Sequence, residues 1–317
     1  MTTTIQRPRQ PDPTALTAPQ GPILLATDGS PDAALAGIAV SQLHGALHTA
    51  VHVVHCWMPV IGAYGPAGLL PVGAVEAYQE PAALVLKEQL AALKRRKLVP
   101  EATYLLEGRA TEMVPDLALE LGASLIVVGS RGLRAVKRLV LGSVSEGIVH
   151  STQTPVLVVR GAKWAWPPTD IIVGDDGSAE SRLAALSAAL IARATGARMR
   201  IVHVIPTAWK DASSPGHARA LGAATTAAEA TIEAIAGEVE RTHGFRPATS
   251  VVVGDAAARM VAQARKTPVP AMLAVGSRGL GAVQRLALGS VSTKVLRAAP
   301  GPVLVCPPPA RRRPARR

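Results

Sequence analysis

The chain has 317 residues, enough for two domains that each bury a core, and it is 48% apolar but only 3% aromatic. Interiors built from Ala, Val, Leu and Ile suit helices laid on a parallel sheet, and so few rings speak against a surface that stacks nucleic-acid bases. The formal net charge is +12, yet five arginines fall in the final seven residues, so the excess belongs largely to the tail and the body is only mildly basic.

In chain order, residues 1–20 are polar and Pro-rich, without the apolar run that a leader peptide or a membrane span needs, and they predict a disordered extension. Residues 23–26 (ILLA) predict a short buried strand ending at Thr27-Asp28-Gly29-Ser30, where the Ser hydroxyl is placed to cap an Ala-rich helix. A second strand is expected at 51–57, then a Gly/Pro-rich loop or lid at 59–81, an amphipathic helix at 82–96, and strands at 102–106, 124–128 and 155–159. A Pro-containing linker at 161–168 carries two Trp that are expected to pack on a domain face. Strands at 171–174, 200–205, 249–253, 271–275 and 302–306 repeat the pattern, with the turn Asp175-Asp176-Gly177-Ser178 after the first and an amphipathic segment at 223–241. The loop at 206–216 matches the earlier lid but is shorter and more polar. This alternation predicts an α/β fold of two doubly wound parallel-sheet units, at 21–160 and 169–308, followed by a disordered basic tail at 309–317.

Each unit carries one copy of a glycine-spaced segment. Residues 129–145 read GSRGLRAVKRLVLGSVS and residues 276–292 read GSRGLGAVQRLALGSVS, agreeing at fourteen of seventeen positions with an offset of 147. An offset near one domain length marks a duplicated domain. The shared pattern is Gly-x2-Gly-x9-Gly-Ser, with Gly129, Gly132, Gly142 and Ser143 in one copy and Gly276, Gly279, Gly289 and Ser290 in the other. The first glycine follows a strand, where a missing Cβ permits close backbone approach and positive φ. The last Gly-Ser pair opens a helix whose unpaired N–H groups and dipole favour an anion, and Arg131 and Arg278 would add charge. Asp28 and Asp176 have a plainer alternative, the shaping of a turn.

Other candidates are poorer. His44 and His48 lie four apart on a helix, but His52 and His55 are three apart in a strand and point to opposite faces, so metal ligation is not favoured. Cys56 and Cys306, one per unit in apolar strands, read as buried free thiols of a reducing cytoplasm. P-loop, dinucleotide and nucleophile-elbow motifs do not occur, so the sequence offers a cradle without obvious transfer machinery.

With these residues in place, the chain resembles tandem universal stress proteins of the ATP-binding subclass, over about residues 20–160 and 168–308. The resemblance implies two five-stranded parallel sheets of order 3-2-1-4-5, each with its ligand at the switch point between strands 1 and 4. It implies ATP, alone or with Mg2+, as the ligand. Asp28 and Asp176 would contact ribose, and the backbone at Cys56 and Val204 would meet adenine. Ribose and phosphates would be held by Gly129, Ser130, Arg131, Gly132, Gly142, Ser143 and Val144, and by Gly276, Ser277, Arg278, Gly279, Gly289, Ser290 and Val291. Gly174, two residues before Asp176, fits the family pattern, whereas the first unit has Ala26 there. The implied function is a cytoplasmic, non-enzymatic, nucleotide-dependent stress-response regulator with an unidentified protein partner. Slow ATP hydrolysis or phosphoryl transfer is the alternative, and nucleic-acid association through the arginine tail a further one. The fifth strands, apolar sheet edges, are expected to pair within the chain, with a homodimer as a further expectation.

Overall fold

The computed structural model describes residues 21–58, 74–132, 142–160, 166–206, 215–269, 271–279 and 288–308. The first half runs β1 (Ile23–Ala26), α1 (Pro31–Leu47), β2 (Val51–Trp57), α2 (Ala74–Arg95), β3 (Ala102–Glu107), α3 (Ala110–Glu120), β4 (Leu125–Gly129), α4 (Ser143–Ser151) and β5 (Val156–Val159). The second half repeats it as β6 (Asp170–Asp175), α5 (Ala179–Thr195), β7 (Arg198–Ile205), α6 (Pro215–His243), β8 (Ala248–Val253), α7 (Ala256–Arg265), β9 (Met272–Gly276), α8 (Ser290–Ala298) and β10 (Val303–Cys306). The fold is α/β, as the alternation predicted.

All ten strands join one sheet, in the order β3-β2-β1-β4-β5-β10-β9-β6-β7-β8. Each half therefore has the order 3-2-1-4-5, and its neighbours pair in parallel. The halves meet where β5 and β10 pair antiparallel, with Leu157 opposite Leu304. Central strands such as ILLA, VLVV and VLVC are continuous apolar runs because helices cover both faces, so neither side needs a polar alternate.

Side-chain alternation divides the core into two layers that cross the join. Ile23 and Leu25 face α1, α2, α5 and α6, in a layer that also holds Trp166, whereas Leu24 and Ala26 face α3, α4, α7 and α8. Trp166 is thus buried as the linker reading expected; Trp164 lies outside the described residues, as do the two termini.

Three local expectations need correction. Residues 74–81 belong to α2 and not to a lid, because the stretch AVEAYQE consists of adequate helix formers although its apolar period is weak; residues 59–73 lie outside the described residues. Likewise Pro215 and Gly216 already open α6, where Pro suits a first helical position, and residues 207–214 lie outside the described residues. His48 does not share a helix face with His44, since it ends α1 in the left-handed region at φ 51°.

Candidate functional site

Each half builds its site at the carboxyl ends of its first and fourth strands. After β1 the chain turns through Asp28-Gly29-Ser30, and after β6 through Asp176-Gly177-Ser178. Gly29 and Gly177 sit at φ 75° and 79°, where a side chain would strain the backbone. Asp28 Oδ1 accepts from the Ser30 N–H at 3.0 Å and Asp176 Oδ1 from the Ser178 N–H at 3.1 Å, so both carboxylates do shape their turns. Ser30 then caps α1 by accepting from the Ala33 N–H at 3.2 Å, and Ser178 caps α5 by accepting from the Ser181 N–H at 3.1 Å.

The second oxygen of each Asp points at the glycine segment. A Cβ on Gly132 would collide with Asp28 Oδ2, and one on Gly279 with Asp176 Oδ2. The paired turns and glycine loops are therefore pressed together in both halves. Gly129 and Gly276 are glycine for a related reason: a Cβ would fall 2.6 Å from the Ala33 nitrogen or 2.7 Å from Glu180 Cβ. Neither has positive φ, so the need is space for the first turn of α1 or α5 and not conformational freedom.

The loop closes in the same way twice. The Gly142 N–H donates to Ser130 O at 2.8 Å, and the Gly289 N–H to Ser277 O at 2.7 Å. Ser145 Oγ donates to Gly129 O at 2.8 Å and Ser292 Oγ to Gly276 O at 2.6 Å, tying each helix start to its strand end. Gly142 and Gly289 stand at the caps of α4 and α8 and, among the described residues, no side-chain cap bonds the first-turn amides. Ser143-Val144 and Ser290-Val291 follow as the opening residues, with their N–H groups lacking helical acceptors. Residues 133–141 and 280–287, between the glycines, lie outside the described residues.

In the second half these parts border a cavity of about 400 Å3. Its apolar wall is Val202, Val204, Ala256, Met260 and Val275; its polar end brings together Asp176, Arg278, Gly279, Gly289, Ser290 and Val291. That volume and mixture suit a small organic ligand with an anionic end. Ser277, which precedes Arg278 of the lining, is buried. Gly174 also lines the cavity, and its missing Cβ makes room for Met260 Sδ, which would lie 2.6 Å away. In the first half Ala26 carries its Cβ in a core shared with the smaller Val114. Cys56, in the place of Val204, is half-buried, and burial pushes its thiol up to about 11; Cys306 is pushed up to about 12, so both are free thiols held un-ionised.

The sequence reading missed the structural roles of three features. Ser145 and Ser292 stood in the repeated segment itself, so their duplication was the available signal. Asp175, fully buried, accepts from Ser181 Oγ at 2.7 Å and the Gly177 N–H at 3.2 Å, and faces His203 Nδ1 at 3.3 Å. Burial pushes its carboxyl up, but those partners outweigh burial and hold it below the ordinary carboxylate range. The third is Asp32. Arg131 was expected to add charge toward a phosphate, but its guanidinium forks onto Asp32 at 2.9 and 3.1 Å, because α1 turns that carboxylate toward the loop. Arg278 keeps its place in the cavity lining.

Comparison with known proteins places these details in a family. Residues 21–160 and 169–307 each match the model of the universal stress protein family. A universal stress protein of Mycobacterium tuberculosis is 36% identical over 190 residues, which cover 58% of this chain and 61% of that protein. One of Mycolicibacterium smegmatis is 29% identical over 308 residues, covering 90% of this chain and 97% of its own length. The crystal structure of a universal stress protein from Archaeoglobus fulgidus shares the fold at a TM-score of 0.63 and 22% identity, covering 91% of this chain and 96% of that one.

Proposed function

The chain belongs to the universal stress protein family, and from that premise we propose that it binds ATP and acts through nucleotide occupancy as a stress-response regulator in the cytoplasm. The observation that carries this reading is the cavity of the second half, where an apolar wall, a guanidinium and an uncapped helix start meet within about 400 Å3. Adenine fits the wall at Val202, Val204 and Met260. The carboxylate of Asp176 is placed to accept from ribose hydroxyls, and the Ser290 and Val291 amides with Arg278 face the phosphate end. The first half repeats the turn, the glycines and the helix start with Asp28, Gly132, Gly142, Ser143 and Val144.

Binding without turnover is the second part of the proposal. Phosphoryl transfer asks for an oriented nucleophile and concentrated positive charge. Asp175, the cavity's most buried carboxylate, is engaged by Ser181, Gly177 and His203. Mg2+ would accompany the phosphates if ATP enters as its magnesium complex, supplying charge neutralisation. Among the described residues no helix is long and apolar enough to cross a membrane. The test is mass spectrometry of whatever nucleotide leaves the purified protein on gentle denaturation, followed by calorimetric titration with ATP. Recovery of adenine nucleotide with saturable binding supports the reading; no binding at millimolar ATP ends it.

A further inference from the structure

The repeated segments are nearly identical, but their surroundings are not. In the first half Asp32 sits in the first turn of α1 with its side chain 8% exposed. Its Oδ2 accepts from Ser130 Oγ at 2.6 Å and from Arg131 Nε at 2.9 Å, and its Oδ1 accepts from Arg131 Nη2 at 3.1 Å. Ser130 and Arg131 are the two residues between the cradle glycines. Thus, among the described residues of that loop, the side-chain donors Ser130 and Arg131 already hold an anion, and the anion is part of the chain.

The second half offers no equivalent. Glu180 takes the place of Asp32, and its main chain packs on Gly276. Among the described residues no bond joins Glu180 to Arg278, and Ser277 Oγ is buried with no hydrogen-bond partner. Arg278 instead lines the cavity beside Gly279 and Ser290. Asp175, the buried carboxylate among the described residues there, is turned to Ser181, Gly177 and His203.

We infer that the two cradles have diverged, so that the second half holds the tight nucleotide site while Asp32 occupies Ser130 and Arg131 of the first as an internal stand-in for phosphate. This rests on reading the cradles as nucleotide sites. The energetics follow from the contacts. A phosphate drawing on Arg131 must displace a carboxylate that is tethered, hence present at an effective concentration no free ligand matches. It must also strip the largely buried Asp32 of its bidentate cation, leaving the Ser130 hydroxyl and the field of Arg160 as its support, and a buried charge that loses its paired counter-ion is costly. Arg278 imposes neither cost. The first site should be at least about tenfold weaker, the factor that accompanies 1.4 kcal/mol.

Calorimetric titration of the full chain with Mg-ATP tests this. Wild type is expected to show one tight site per chain, abolished by Gly289→Glu. Asp32→Asn, and Asp32→Ser as a second variant should the first fold poorly, are expected to add a second site or tighten the weak one tenfold or more, with circular dichroism confirming the fold. Two equal sites in wild type would overturn the inference and leave ATP binding standing. So would a tight site that survives Gly289→Glu, or folded Asp32 variants whose stoichiometry stays at one. Absence of any ATP binding in wild type and variants alike would remove the nucleotide reading and this inference with it.

Discussion

Leu157 of β5 and Leu304 of β10 lie opposite one another at the centre of the only antiparallel pairing among the described residues, each with no exposed surface. Leu157 is also in register with Val127 of β4, so its backbone is flanked on both sides. Pro at this position removes a donor from the ladder and has no edge to occupy. Leu157→Pro is expected to destabilise the chain by about 3 kcal/mol in urea unfolding. An unchanged midpoint would mean that the join contributes little to the fold.

Arg160 makes a second link across the halves. Its Nη2 donates to Leu296 O at 2.6 Å and its Nη1 to Ala299 O at 3.3 Å, satisfying carbonyls at the end of α8. Burial pulls the guanidinium down to about 10, which leaves it charged at neutral pH. Arg160→Ala should cost about 1–3 kcal/mol by orphaning those acceptors. The corresponding residue of the second half is Pro307, so no mirror-image effect is expected there. A variant that melts with wild type would show that the carbonyls find other donors.

Ligand stabilisation reports on the cavity. With ATP about a hundredfold above Kd, wild type should gain roughly 2.7 kcal/mol for each filled site, seen as a rise in melting temperature. Gly279→Ala should reduce that gain without adding charge, because its methyl group meets Asp176 Oδ2. Retention of the full gain would remove Gly279 and Asp176 from the binding surface.

Turnover is expected to be negligible. Phosphate release near or above about 1 s⁻¹, the low end for ordinary enzymes, would instead establish an ATPase.

Stability should fall in mild acid because of His243. The ring is buried, neither nitrogen has a hydrogen-bond partner, and burial reinforced by the charge of Arg193 holds its pKa below the ordinary 6.5. The unfolded chain takes up the proton first as pH drops. The stabilising contribution is therefore complete above about pH 6.5 and is lost as pH falls from there through the lower folded value. Between pH 7.5 and 5 the urea midpoint of wild type should fall relative to that of His243→Leu, whichever is higher at pH 7.5. Parallel curves would exclude His243 as the source.

Much of the fold was legible because its signals are local. Strands buried on both faces read as unbroken apolar runs, and a seventeen-residue repeat announced two copies of one unit. Glycine positions showed where the cradle is, but not why they are glycine: Gly129 and Gly276 make room for helices distant in sequence, and Gly132 and Gly279 for carboxylates. Contacts of that kind depend on tertiary approach and leave no spacing to read. Asp32 is the sharpest instance. In sequence it is an acidic residue in a helix's first turn, unremarkable beside the dipole, and its pairing with Ser130 and Arg131 spans about a hundred residues.

The antiparallel join has a consequence for what lies outside the molecule. Parallel sheets present their sites at the carboxyl ends of the strands, and here the strands of one half run opposite to those of the other. The two cradles consequently open on opposite rims of the sheet. A macromolecule that touched the mouth of one cradle would do so on the rim opposite the other, so the two mouths are separate surfaces of one sheet.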